Sequence, residues 1–525
     1  MKRLCTVLAV FAIGHSVQPC HAADRTDSAI FQAVSEGRYL DADRLARRRL
    51  QEVIDKPDFK SSDVTTRYLQ AINTAQKWAR WHEAEHLLAT LERGLHKVET
   101  PGSNSIWLDL HTQQIELFSE MDSYSLADAA YATARSKAAK HKLDDGPSFN
   151  ALLAAQADSL RRQERWWEAS LVLEERLNWL KRFEPGNQLA SGEVLTELGE
   201  VNLSMERMEE SNRRFTQAKP LLESAYRHYE KDRAAAIQAM SNWAFSAYRL
   251  DRPGWDHCVL RSQLIDALES TRGRSSPLLV TPLIEAAAYC EDELGNSNAS
   301  KMYERALKIA TDTWGEAHPQ VLDVLNMQGT FLASREDSES MNEKGHRILK
   351  SELELRRRTY AEAPLVKLST DVRRMSDDPS DTCTGFSSGH CKAEILESLT
   401  SLSRVWGEQH PALAVLRTYM VVRIGGFSSS AATDQDDAAR YAFVTEQCET
   451  AFVGTLASYV SGNPQTAQIA KACANLAWSL RKMKDVERYL SHAAKIYVKY
   501  FGEEEMVSKE TVALLSSARL ILDKK

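Results

Sequence analysis

The chain has little of what ends a helix: 22 glycines and 14 prolines in 525 residues. That scarcity favours helix over most of its length. It has no basic excess, since 66 Lys and Arg stand against 73 Asp and Glu, a formal net charge of −7. Nothing in that balance suggests a nucleic-acid binder. Beyond the N-terminus no run is long and apolar enough to span a bilayer. A Gly-rich phosphate loop, a CxxC pair and a nucleophile elbow are all missing, so no motif argues for nucleotide, thiol-redox or serine-hydrolase chemistry. No cofactor is implied.

What is present is a pattern that copies itself. An aromatic or large residue, two variable positions and a small residue recur every 42 to 45 residues. The copies are Tyr39…Ala42, Trp81…Ala84, Tyr124…Ala127, Trp166…Ala169, Met208…Ser211, a degenerate one near Asp256, and Asn296…Ala299. With the small residue as anchor, a large apolar residue follows four positions on: Leu88, Tyr131, Leu173, Phe215, Leu260 and Tyr303. Twelve positions before the anchor stand Ile30, Ile72, Ile115, Ala157, Gly199, Ala244 and Ala287. These offsets share one helical face on either side of a tight turn. Gly or Pro then breaks each unit, as at Pro101-Gly102, Gly146-Pro147, Pro185-Gly186 and Gly315 with Pro319. Each unit therefore reads helix A, short turn, helix B, longer loop. Such a chain is a stack of supersecondary units with no single core.

The pattern resembles the tetratricopeptide repeat. The loops Trp314-Gly-Glu-Ala-His-Pro319 and Trp406-Gly-Glu-Gln-His-Pro411 are similar to the Gly-x-x-His-Pro connection of the longer, roughly 42-residue repeats of kinesin light chains. The resemblance implies an all-α, right-handed superhelical solenoid of antiparallel helix pairs. It covers 25–335 well and returns at 391–425 and 466–525. The expected organisation is a leader at 1–22, an array over 23–375, a loop insertion over 376–393 and further repeats over 394–525.

Lys2 and Arg3, then the apolar stretch Leu4 to Gly14, then Cys20-His21-Ala22 form a secretory signal, with cleavage expected after Ala22. The mature protein is then expected in the periplasm or beyond. Of the six later cysteines, Cys258 and Cys290 are centred on Arg274, Cys383 and Cys391 on Ser387, and Cys448 and Cys473 near Val460. Each midpoint lies in a loop. In an antiparallel helix pair, residues equidistant from the turn lie at one height, so these three pairs are the expected disulfides.

His82-Glu83-Ala84-Glu85-His86 matches His-Glu-x-x-His, which on a helix sets two imidazoles one turn apart for zinc with the glutamate as base. The repeat offers a simpler account. Ala84 is a packing anchor, and His82 and His86 fall on the outer face of helix B. The further ligand of the extended motif is missing: Ala89 and Glu92 stand where Gly and His would be. A zinc hydrolase remains the enzymatic alternative. A glycan-binding module using Trp167 and Trp243 is another, as is an array that assembles with itself.

The resemblance also implies a concave groove lined by helix A. Counting back from each anchor selects Glu116, Glu120, Asp158, Arg161, Arg162, Glu200, Phe245, Tyr248, Arg249, Glu291 and Asp292. Carboxylates, arginines and aromatics in that mix suit an extended segment of another protein held by polar clamps. The function expected is thus a non-catalytic scaffold or adaptor whose partner is a peptide segment.

Overall fold

A computed structural model describes residues 29–523 apart from 31, 35, 56, 60–61, 98–103, 229–238, 245–256, 291–294, 336–337, 361–363, 378–389, 426–433 and 460–461. The described residues hold helices and no strand. The chain is an all-α solenoid.

Helical residues 29–30 and 32–34 and α1 (Tyr39–Gln51) form the first unit. Four complete units follow: α2 (Ser62–Lys77) with α3 (Trp81–His96), α4 (Asn104–Glu120) with α5 (Tyr124–His141), α6 (Pro147–Arg162) with α7 (Trp166–Phe183), and α8 (Gln188–Ser204) with α9 (Met208–His228). The sixth pairs residues 239–244 with α10 (His257–Arg272). Then come α11 (Val280–Tyr289) with α12 (Asn296–Trp314), α13 (Pro319–Ala333) with α14 (Glu339–Thr359), α15 (Pro364–Asp377) with α16 (His390–Trp406), α17 (Pro411–Gly425) with α18 (Asp434–Ser458), and α19 (Pro464–Ser479) with α20 (Met483–Phe501). The helix α21 (Met506–Asp523) covers the last unit.

The A–B turn is one conformation used again and again. Five positions before the anchor the backbone is left-handed, at Gly37, Ala79, Asp122, Glu164, Glu206 and Arg481. Only the first is glycine, so the packing on both sides holds the others in a region that costs an L-residue about 1 kcal/mol or more. The small-residue ladder has an equally local cause. A Cβ on Gly199 would stand 2.5 Å from the Phe215 ring, so the small position of helix A makes room for the large position of helix B in the same unit. In the sixth unit the expected large apolar position shifts by one. Arg261, not Leu260, is fully buried there, 3.6 Å from Glu285 and with its guanidinium 5.0 Å from the Tyr289 ring centre.

Successive A helices pack directly on one another, as α4 on α6, α15 on α17 and α17 on α19. Successive B helices splay apart and are bridged by long ion pairs: Arg47–Glu83 at 2.9 Å, Arg135–Glu175 at 2.5 Å, Arg305–Glu269 at 2.6 Å, Lys344–Glu304 at 3.5 Å and Arg488–Glu449 at 2.6 Å. Helix A therefore lines the inner face and helix B the outer. Each outer pair contributes about 0.2–1 kcal/mol.

Two disulfides join the B helix of one unit to the A helix of the next. They are Cys258–Cys290 and Cys448–Cys473, with Cα separations of 5.6 and 5.7 Å. Of the third expected pair, Cys391 stands at the start of α16 and Cys383 lies outside the described residues, as does the leader with its expected cleavage after Ala22. The segment 378–389 connects helix A to helix B of the ninth unit, and 426–433 does so in the tenth, where the first five units and the eleventh have the left-handed turn. Among the described residues no helix is long and apolar enough to cross a membrane.

Candidate binding surface

The ribbon of helix pairs winds far enough to touch itself. The A–B turns of the first five units meet the loops that follow helix B six units on. Tyr39 stacks on Trp314 with ring centres 5.7 Å apart, Trp81 on Tyr360 at 5.1 Å, and Tyr124 packs on Trp406 at 5.1 Å. Arg207 lies over Phe501 at 4.3 Å and faces Glu505 at 3.5 Å. The hydrophobic cores follow suit. Leu322, Tyr360 and Val366 belong to the cluster around α2 and α3, and Tyr124 belongs to the one around α15–α21.

The two His-Pro loops are built for this seam. His318 Nδ1 accepts the Gln320 backbone N–H at 3.2 Å and so caps α13, while its Nε2 donates to the Lys77 carbonyl at 3.0 Å. His410 repeats the arrangement. Its Nδ1 accepts from the Ala412 N–H at 3.3 Å, and its Nε2 faces Asp128 Oδ2 at 3.4 Å. One imidazole in each loop thus serves a helix N-terminus and faces the opposite turn. Burial pushes His318 down to about 4. Around His410, Arg165 reaches Asp128 at 2.5 Å and Glu168 at 2.5 Å, and the Tyr459 hydroxyl donates to Glu168. Burial alone would raise the Asp128 carboxyl, but His410 and Arg165 together hold it below its ordinary value.

Inside the seam lies the inner wall. Glu116, Glu120, Asp158 and Arg162, on the adjacent helices α4 and α6, come together there. Arg162 Nε donates to Asp158 at 2.8 Å, and Gln113 donates to Glu116 at 2.7 Å. Burial pushes the Glu116 carboxyl up to about 7, with Lys77 opposing and Glu120 and Asp158 adding to the rise. Burial likewise raises Glu120, against Arg162 and Lys77. Asp158 raises the Arg162 guanidinium further. The eighth unit adds Asp323, which burial raises against the pull of Arg356 and Arg162 and which Arg356 holds at 3.0 Å. The wall is therefore charged and crowded, with its carboxylates half-buried and Lys77 exposed beside them.

Arg161 and Glu200 sit deeper. Both are buried, and they pair at 2.8 Å between the fourth and fifth units. They brace the wall from within. Phe245, Tyr248, Arg249, Glu291 and Asp292 lie outside the described residues. Lys77, Asp323 and Arg356 were not among the residues expected from sequence. Lys77 had a signal, since it stands seven residues before its anchor as Glu120 and Arg162 do. Asp323 and Arg356 had none, because the winding of the ribbon brings them there.

His82 and His86 are exposed on α3. Glu83, the base of the zinc reading, is held at 2.9 Å by Arg47 and at 3.2 Å by Arg80. Among the described residues no group of three or more His, Cys, Asp or Glu could hold a metal ion. Trp167 packs edge-on against Tyr500 and Phe501, at 5.4 and 5.8 Å, and Trp243 is partly buried against the core around α6–α9. Trp167 thus belongs to the seam.

No protein-family model matches the chain, and no curated protein matches it. Among solved structures, that of a Rap protein complexed with Competence and Sporulation Factor is similar at 11% identity. It covers 88% of this chain and 99% of that one, with a TM-score of 0.36. At that distance no residue role carries across.

Proposed function

We propose that this chain is an exported, non-catalytic scaffold that holds a segment of another protein against its inner A-helix wall. The observation that carries the proposal is the crowding of Lys77, Glu116, Glu120, Asp158 and Arg162 on consecutive inner helices, with burial raising Glu116 and Glu120. Half-buried carboxylates and cations crowded together gain from a partner's donors and charges more than an isolated exposed group would. Consecutive units offer such groups at regular spacing, which suits an extended segment. Export is part of the reading. It is supported by the two disulfides, which persist in an oxidising compartment. The likeness to the kinesin-light-chain type of repeat belongs to it too, supported by the matching roles of His318 and His410.

The test is affinity capture from the native exported fraction, read by mass spectrometry. The baits are the mature chain and an Asp158→Lys variant of matched thermal stability. The reading expects a protein retained by the first and lost by the second. Retention of the same set by both, or of none by either, would overturn it.

A further inference from the structure

The solenoid is held to itself along the seam mainly by helix ends and loops, with a few contacts from within α15 and α19. Neighbouring units share whole helix faces, whereas across the seam the more extensive contacts are only those of α16 with α5 and α19 with α7. Much of the seam is polar: the Asp128, Arg165, Glu168, His410 and Tyr459 network, Gln468 donating to the Ser204 carbonyl at 2.8 Å, and Lys471 with Glu206. Charge pairs of this kind fix register more than they add stability. Both described disulfides join adjacent units within one winding, so neither crosses the seam. A stack in which each unit touches its neighbours yields by small rotations spread over many interfaces. Five units lie between the two sides of the seam, so it can part while every helix pair stays intact.

We propose that the seam is a releasable clasp, and that a polypeptide reaches the inner wall around Glu116 when the clasp parts. The weakest plane of the fold is then also its door, in keeping with the rule that moving elements come from the least stable contacts. This deepens the reading of the inner wall as a binding surface, but its test needs no partner.

A reporter thiol is placed on the wall as Glu116→Cys, and its rate of modification by a bulky PEG–maleimide is followed against the parent chain. In one arm the seam is locked by Asp122→Cys with Ser369→Cys, a pair whose present side chains meet at 2.5 Å, with the cross-link verified by mass. In another it is weakened by Trp406→Ala. The clasp predicts labelling at least tenfold slower when locked and at least tenfold faster when weakened, with helicity unchanged in both. Equal rates in the reporter chain and its locked form would overturn the proposal, whatever the capture experiment finds. Should Trp406→Ala lose its helical signal, Tyr459→Phe takes its place, since it removes only the hydroxyl that meets Glu168.

Discussion

Trp406 closes the ninth unit against the third: its ring lies 5.1 Å from that of Tyr124, and its indole N–H donates to the Asp122 carbonyl at 2.6 Å. The residues are 282 positions apart in the chain, yet Trp406 is almost wholly buried. Replacing it with alanine removes a large apolar contact and leaves a buried carbonyl without its donor. The expected loss is about 3–5 kcal/mol, read by urea unfolding followed at the α-helical band.

Gly199 makes room for Phe215: a methyl group added there would stand only 2.5 Å from the ring, whereas one added at Gly186 would meet nothing within 4 Å. Gly199→Val is expected to cost about 1–3 kcal/mol from overpacking. Gly186→Ala is expected to change stability by less than about 1 kcal/mol. Pairing Gly199→Val with Phe215→Leu is expected to recover part of the loss, a non-additivity that a double-mutant cycle reads directly.

The His318 imidazole has its folded-state value lowered to about 4 by burial. The folded chain therefore binds fewer protons than the unfolded one between about pH 6.5 and 4, and stability falls as pH falls through that window. The share from this residue is on the order of 1–3 kcal/mol, full above pH 6.5 and lost below pH 4. Unfolding free energy against pH in the parent and in His318→Asn checks it. The variant is expected to show the shallower slope.

Cys258–Cys290 closes 32 residues and Cys448–Cys473 closes 25. Loop-closure entropy makes each worth about 3.5 kcal/mol. Replacing both cysteines of either pair with serine is expected to lower the melting temperature, while a reductant lowers that of the parent and not that of the double-pair variant.

The fold was legible because each level of the chain repeats the same instruction. Ala84, Ala127 and Ala169 are wholly buried, as anchors must be, and Gly199 faces Phe215 as the small and large positions require. The breaks near 146, 186 and 315 fall between helices. The inner wall was legible only in part. Glu116, Glu120, Asp158 and Arg162 follow from their offset, because position on a helix fixes which face a side chain takes. Arg161 shares that neighbourhood by count but turns into the interface with Glu200, which one residue of rotation decides. Asp323, Arg356 and Tyr360 escaped because no local pattern encodes how tightly a ribbon winds. That depends on small rotations summed over six interfaces. The aromatic at the end of helix B carried the hint, in Trp314, Tyr360, Trp406 and Phe501, but it reads equally as packing within its own unit.

The self-contact of the ribbon is the claim on which the binding surface and the clasp both stand. Small-angle X-ray scattering of the mature protein tests it most directly. A closed winding of this length predicts a radius of gyration of about 24 Å with a single compact distance distribution. A radius of about 35 Å or more, with a long tail in that distribution, is what an open ribbon would give and would contradict the account.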